Sequence, residues 1–139
     1  MNVSSALNSL QDSGFKITKA RKFILRIFSK RKKPINAINL LHLLHKKGLE
    51  VNKTTVYREI NFLLEQGLIH EVYIDPKKVY YESTGLKHHH HLVCNNCRKI
   101  EDVVLEQDLS DTELRIEKQK GFKVENHSLE FFGLCFNCQ

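Results

Sequence analysis

Four consecutive histidines, His88 to His91, run through Leu92-Val93 into the unit Cys94-Asn95-Asn96-Cys97. The chain has only two further cysteines, and they form a second C-x-x-C, Cys135-Phe136-Asn137-Cys138. Each C-x-x-C sets two sulfurs on one tight turn, and two such turns supply the four thiolates of a closed tetrahedral zinc site with Zn–S near 2.3 Å. Because 37 residues separate the units, more than in a minimal zinc ribbon, such a site ties the end of the chain back to the region of residue 94. Free buried thiols and a redox pair are the alternatives. A thioredoxin-like pair opens a helix after a strand, and neither unit has that setting. Structural zinc on Cys94, Cys97, Cys135 and Cys138 is therefore expected. Four thiolates leave no open position, so this metal is expected to hold the fold rather than to catalyse.

The histidine run is internal and merges into a strand-like segment, unlike a terminal purification tag. Its plain alternative is a solvated polar loop. If residues 88–91 are extended, His88 and His90 point one way and His89 and His91 the other. Each pair then makes part of a metal site and needs further ligands. Glu82, Asp102 and His127 are candidates, with Asp108 and Asp111 as further carboxylates. Mixed imidazole and carboxylate sites accept Fe(II), Zn(II), Mn(II) or Co(II). Ligation needs neutral imidazole, so binding should weaken below pH ~6.5.

Charge divides the chain in two. Residues 1–67 carry 13 Lys/Arg against 4 Asp/Glu, a balance of +9, whereas residues 68–139 carry 9 against 12, a balance of −3. The first half reads as a domain that meets a polyanion, nucleic acid above all, rather than as a merely solvated basic surface. No apolar run approaches the ~18 residues of a membrane span. The opening Met1-Asn2-Val3-Ser4-Ser5 lacks the basic and apolar regions of a secretory leader. The expectation is a cytoplasmic protein without membrane contact, its cysteines reduced and available to metal.

Periodicity predicts a short helix over Ser4 to Asp12, ended by Gly14, and a second capped by Thr18 with Phe23, Ile24, Ile27 and Phe28 on its apolar face. Asn36 caps a third through Ile38, Leu40, Leu41 and Leu44, stopped by Gly48. Asn52 caps a fourth, in which Val56, Ile60, Leu63 and Leu64 form one stripe. Thr54, Arg58 and Asn61 lie on the other side, and the helix start near Lys53-Thr54-Thr55 suits phosphate. Strands over 69–74 and 79–82 flank the turn Asp75-Pro76-Lys77-Lys78 and read as a wing. Thr84 to Lys87 reads as a linker. Strands at His90–Cys94 and Ile100–Leu105, a helix over Asp108–Lys120 ended by Gly121, and a strand from Phe122 to Leu134 complete the reading. The fold class is α+β: an N-terminal winged helix-turn-helix domain over 1–83, a hinge over 84–88, and an α/β domain with a zinc knuckle over 89–139.

The pieces together resemble the ferric uptake regulator (Fur) family. They are Gly14-Phe15-Lys16-Ile17-Thr18 with Arg21, Thr55-Val56-Tyr57-Arg58, Gly67-Leu68-Ile69, Tyr81-Glu82, His88 to Cys97, Lys99-Ile100, Asn126-His127-Ser128-Leu129, and Gly133 before the last cysteines. The resemblance covers nearly the whole chain, from Gly14 to Cys138. It implies a homodimer, or a higher oligomer, that represses metal-homeostasis genes by binding a double-stranded DNA operator. Tyr57 and Arg58 resemble major-groove contacts, with Thr55 at the same helix start. Lys16 resembles a minor-groove contact and Arg21 a backbone contact. Glu82, His89, His91 and Asp102 match a regulatory site for Fe(II), Zn(II) or Mn(II), and His88, His90 and His127 match a second site. Three positions depart from the pattern. Lys33 stands where many members carry a histidine ligand, His90 where iron-type members carry Asp, and Ser110 near an expected helix carboxylate. A peroxide sensor of the same family and a metal buffer without DNA function are the alternatives. A zinc hydrolase is disfavoured, because the chain has no H-E-x-x-H motif.

Overall fold

A computed structural model describes residues 2–106 and 109–139. The chain forms two compact units, Met1–Lys87 and His88–Gln139.

The first unit opens with α1, Val3–Asp12, whose N-cap Asn2 accepts from the Ser4 and Ser5 amides. Helix α2, Lys19–Lys30, starts where Thr18 Oγ1 accepts from the Arg21 amide at 3.1 Å. A two-residue strand β1, Ile35–Asn36, leads into α3, Ala37–Lys46, capped by Asn36. Helix α4, Lys53–Glu65, is capped by Asn52 through the Thr55 amide. Each of these side chains satisfies an amide that the first helical turn leaves without an intrahelical partner. Gly67, at φ +63°, then reverses the chain in a conformation that side-chain-bearing residues rarely adopt.

Strands β2, Ile69–Val72, and β3, Tyr80–Ser83, form the hairpin that follows α4. Asp75 Oδ1 accepts from the Lys77 amide at 2.8 Å and shapes its turn. The sheet order is β1-β3-β2, so β1 closes the wing onto the helices. One core fills this unit: Ile24, Leu25, Phe28, Leu40, Leu44, Val56, Ile60 and Leu63 are almost wholly removed from water. Each such side chain contributes roughly 1.5–3 kcal/mol of burial free energy. Ile38, expected on the apolar stripe of α3, is instead exposed, because Ala37, Leu40 and Leu44 complete the buried face without it.

In the second unit β4, His90–Cys94, lies at the centre of a three-stranded sheet. It pairs antiparallel with β5, Ile100–Val103, and parallel with β6, Glu130–Gly133. Helix α5, Ser110–Lys120, sits between β5 and β6 in sequence and ends on Gly121 in the left-handed conformation. The expected start of this helix at Asp108 lies outside the described residues. The strand expected from Phe122 to Leu134 is corrected to Glu130–Gly133, and residues 121–129 form no strand. The chain closes on a short 3-10 turn, Phe136–Cys138. No helix among the described residues is long and apolar enough to cross a membrane.

Candidate metal centres and DNA-facing helix

The parallel register of β4 and β6 sets Cys94 beside Gly133 and so delivers both C-x-x-C units to one place. Asn95 donates its amide to the Gly133 carbonyl at 2.7 Å, and Cys94 donates to Lys99 O at 3.0 Å across the first knuckle. Arg98 completes that knuckle with a left-handed backbone at φ +60°. The 3-10 turn folds Cys138 back on Cys135, whose carbonyl accepts from the Cys138 amide at 2.8 Å. All four sulfurs lie within 4.8 Å of one another, and Cys97 Sγ is 3.6 Å from Cys135 Sγ. Tetrahedral Zn–S bonds near 2.3 Å give an S–S edge of about 3.8 Å, so the four fit zinc.

Their electrostatics point the same way. The Cys135 and Cys97 amides turned toward the Cys94 sulfur lower its pKa to about 6. Contacts with the Cys138 and Cys97 sulfurs push Cys135 up to about 12. A second thiolate is resisted until a divalent cation supplies the missing charge, and bound zinc keeps its thiol ligands deprotonated. The cysteines are not joined in disulfides.

The histidines pair at the start of β4, with His90 and His91 on the strand and His88 and His89 just before it. The His88 and His90 rings are 4.8 Å apart, and those of His89 and His91 are 4.9 Å apart. His127, in the segment before β6, joins the first pair at 5.0 Å from His88 and 5.4 Å from His90. One ring nitrogen from each of His88, His90 and His127 falls within a 4.8 Å cluster. Burial, with the neighbouring His88 and His127, lowers the His90 pKa and favours its neutral, ligating form. On the opposite face, His91 stands directly across from Asp102 on β5. Asp102 is exposed, and Asp111, in the first turn of α5, belongs to no ligand cluster among the described residues.

Two partners were not anticipated. Glu82, buried on β3, is paired across the hairpin with His70, whose Nε2 is 3.0 Å from Glu82 Oε1. Strand register carries that signal, since the Asp75 turn places residue 70 opposite residue 82. His127 Nδ1 is 2.6 Å from Glu113 Oε1 on α5. Ser110, near the position of the expected helix carboxylate, opens that helix, and Glu113 lies one turn further on.

In the first unit α4 turns Thr54, Tyr57, Arg58 and Asn61 to solvent, while Val56, Ile60 and Leu63 enter the core. Lys53 Nζ lies 5.6 Å from the Tyr57 ring centroid, and Thr55 is half-buried at the helix start. Lys16 is exposed in the α1–α2 loop. Arg21, which resembles a DNA-backbone contact, is engaged within its own unit. Its guanidinium is buried, bonded through Nε to Glu59 Oε2 at 2.9 Å, and lies 3.5 Å over the Phe62 ring. Its Nη1 donates to the Lys16 carbonyl at 2.7 Å. Arg21 therefore braces the loop that carries Lys16. Glu59, which explains this, was invisible to a helix-face argument because a buried carboxylate needs its partner named first.

Comparisons with known proteins agree with this architecture. The sequence profile of the Ferric uptake regulator family matches residues 12–132. The ferric uptake regulation protein of Bacillus subtilis is 31% identical over 134 residues, covering 93% of this chain and 89% of its own length. Among solved structures, the ferric uptake regulator of Francisella tularensis with iron aligns at a TM-score of 0.75 with 28% identity, covering 90% of this chain and 95% of that one. A zinc uptake regulator complexed with zinc and DNA aligns at 0.67 with 26% identity, covering 97% and 91%. With a winged-helix unit, a thiolate knuckle and a histidine-bearing strand in this order, the chain belongs to the ferric uptake regulator family of metal-responsive transcription regulators.

Proposed function

We propose that this protein is a homodimeric repressor of metal-homeostasis genes that senses iron or zinc and binds operator DNA when its regulatory metal is bound. The observation that carries this reading is the division of labour along the chain. One unit presents Tyr57 and Arg58 on an exposed helix face, and the other carries two histidine pairs at the start of β4 beside a thiolate knuckle.

The regulatory ligands in this reading are Glu82, His89, His91 and Asp102. Six residues separate Glu82 from His89 in sequence. His70 holds one oxygen of Glu82, which fixes the carboxylate for that role. The zinc knuckle keeps β4 and the chain's end together in either state. In this reading bound metal favours the dimer whose two α4 helices have the spacing that the operator accepts. Half-sites that face the same side of DNA lie about 34–36 Å apart or at a multiple of that.

Two metals remain in view for a physical reason. The carboxylates Glu82 and Asp102 suit Fe(II), whereas imidazoles and a tetrahedral preference suit Zn(II). The iron-loaded relative and the DNA-bound zinc regulator support the two readings respectively. Exposed Phe131, Phe132, Leu134 and Phe136 supply an apolar surface suited to the dimer.

The test is a gel-shift series under anaerobic conditions with Fe(II), Zn(II) and Mn(II), each added to protein that retains only its thiolate-bound zinc. One metal should promote binding at a lower free concentration than the others. The double variant His89→Ala/His91→Ala should lose this response while keeping the thiolate zinc. A variant that still responds refutes the ligand assignment.

A further inference from the structure

The second histidine cluster has a feature that its three ligand candidates do not explain. His127 lies in residues 121–129, which form no strand, so no ladder of backbone hydrogen bonds fixes its ring. Helix α5 buries no side chain, yet it spends two acids one turn apart on this segment. Glu117 Oε1 accepts from the Val124 amide at 3.1 Å, and Glu113 Oε1 meets His127 Nδ1 at 2.6 Å. Positions four apart share one helix face, so α5 grips the segment at two points.

The chemistry of the second grip is specific. A carboxylate only accepts, so His127 donates from Nδ1, and the neutral ring must then carry its lone pair on Nε2. That Nε2 is buried and has no hydrogen-bond partner among the described residues. It belongs to the residue whose ring packs on His88 and His90, within the cluster of three ligand nitrogens. Glu113 itself is not a member of that cluster.

We propose that Glu113 is a positioning residue for the second metal site: it fixes the tautomer and ring orientation of His127 from outside the coordination sphere, leaving three imidazoles as the site's ligands among the described residues. This rests on the reading that His88, His90 and His127 hold a metal. Carboxylates that orient a ligating imidazole raise its basicity and sharpen its aim. With the carboxylate outside, three neutral nitrogens remain, a set that favours Zn(II) or Co(II) over Mn(II).

The test uses the full chain with its thiolate zinc retained. Co(II) and Zn(II) are titrated against a chromophoric chelator, following the equivalent that His127→Ala removes. Glu113→Ala should weaken that equivalent by roughly 10- to 100-fold. Glu113→Gln keeps an acceptor for Nδ1–H and should recover most of the affinity. Nitrogen-15 spectra of the zinc-loaded protein should show His127 protonated at Nδ1 and ligated at Nε2, a readout independent of either variant's stability. If Glu113→Gln is as damaging as Glu113→Ala, or Nδ1 is the ligated nitrogen, the outer-sphere role is overturned. If Glu113→Ala changes nothing while His127→Ala abolishes the equivalent, the site stands and the role of Glu113 falls. If His127→Ala also changes nothing, the metal-site reading itself is wrong.

Discussion

Neighbouring charged residues in this protein do opposite jobs, and burial decides which. Arg58 and Glu59 are adjacent on α4, yet Arg58 is exposed and Glu59 is buried against Arg21. Removing one partner of a buried ion pair leaves an uncompensated charge, at a cost of about 3–5 kcal/mol. Glu59→Ala should therefore lower the urea midpoint sharply. Arg58→Ala should leave stability within about 0.5 kcal/mol but weaken operator binding by about 1–3 kcal/mol if it reads a base. A normal operator affinity for Arg58→Ala removes α4 as the reading helix. Cys94 is the other decisive residue, because backbone amides, that of Cys135 foremost, lower its pKa to about 6 while it anchors one knuckle. Cys94→Ser should cost the protein its chelator-resistant zinc, read by metal analysis after dialysis. Full retention of that zinc contradicts the four-thiolate site.

Elements differ in how openly their sequences declare them. The helices of the first unit were legible because Thr18, Asn36 and Asn52 cap them and Gly48 and Gly67 stop them, and those caps form as expected. The two-residue β1 was not legible, since two residues carry no period and its pairing with Tyr80 and Tyr81 is non-local. Residues 122–129 alternate like a strand, but their partners are side chains of α5, which no pattern of hydrophobicity reveals. Strand alternation did give the pairing of the histidine rings, although β4 itself begins only at His90. It could not reveal Glu113 or His70, whose roles depend on which surfaces meet. Strand β6 carries a prediction of its own. Phe131 and Phe132 are both largely exposed in the single chain, so this element has more apolar surface than its own unit covers. Phe132→Glu should shift the protein toward monomer in sedimentation velocity without loss of the thiolate zinc. An unchanged dimer places the interface elsewhere.

At the scale of the whole molecule, the basic unit and the metal-bearing unit make sense only as a coupled pair. A chain of 139 residues with a balance of +9 in residues 1–67 is built to meet DNA. That charge alone gives non-specific attraction, which no metal needs to regulate. Regulation requires that metal favour the DNA-competent arrangement over the others, and coupling energies of this kind correspond to roughly 5- to 150-fold in affinity. The thiolate knuckle cannot provide such a switch, because its four ligands leave no reason for the metal to depart. In the proposed function that role falls to the histidines and carboxylates. The most direct test is a fluorescence-anisotropy titration of a duplex selected by the metal-loaded protein from random sequence, comparing protein with only thiolate zinc against protein with regulatory metal added. The account predicts that added metal tightens binding by at least about 5-fold and that chelation reverses it. Equal affinity in both states contradicts it.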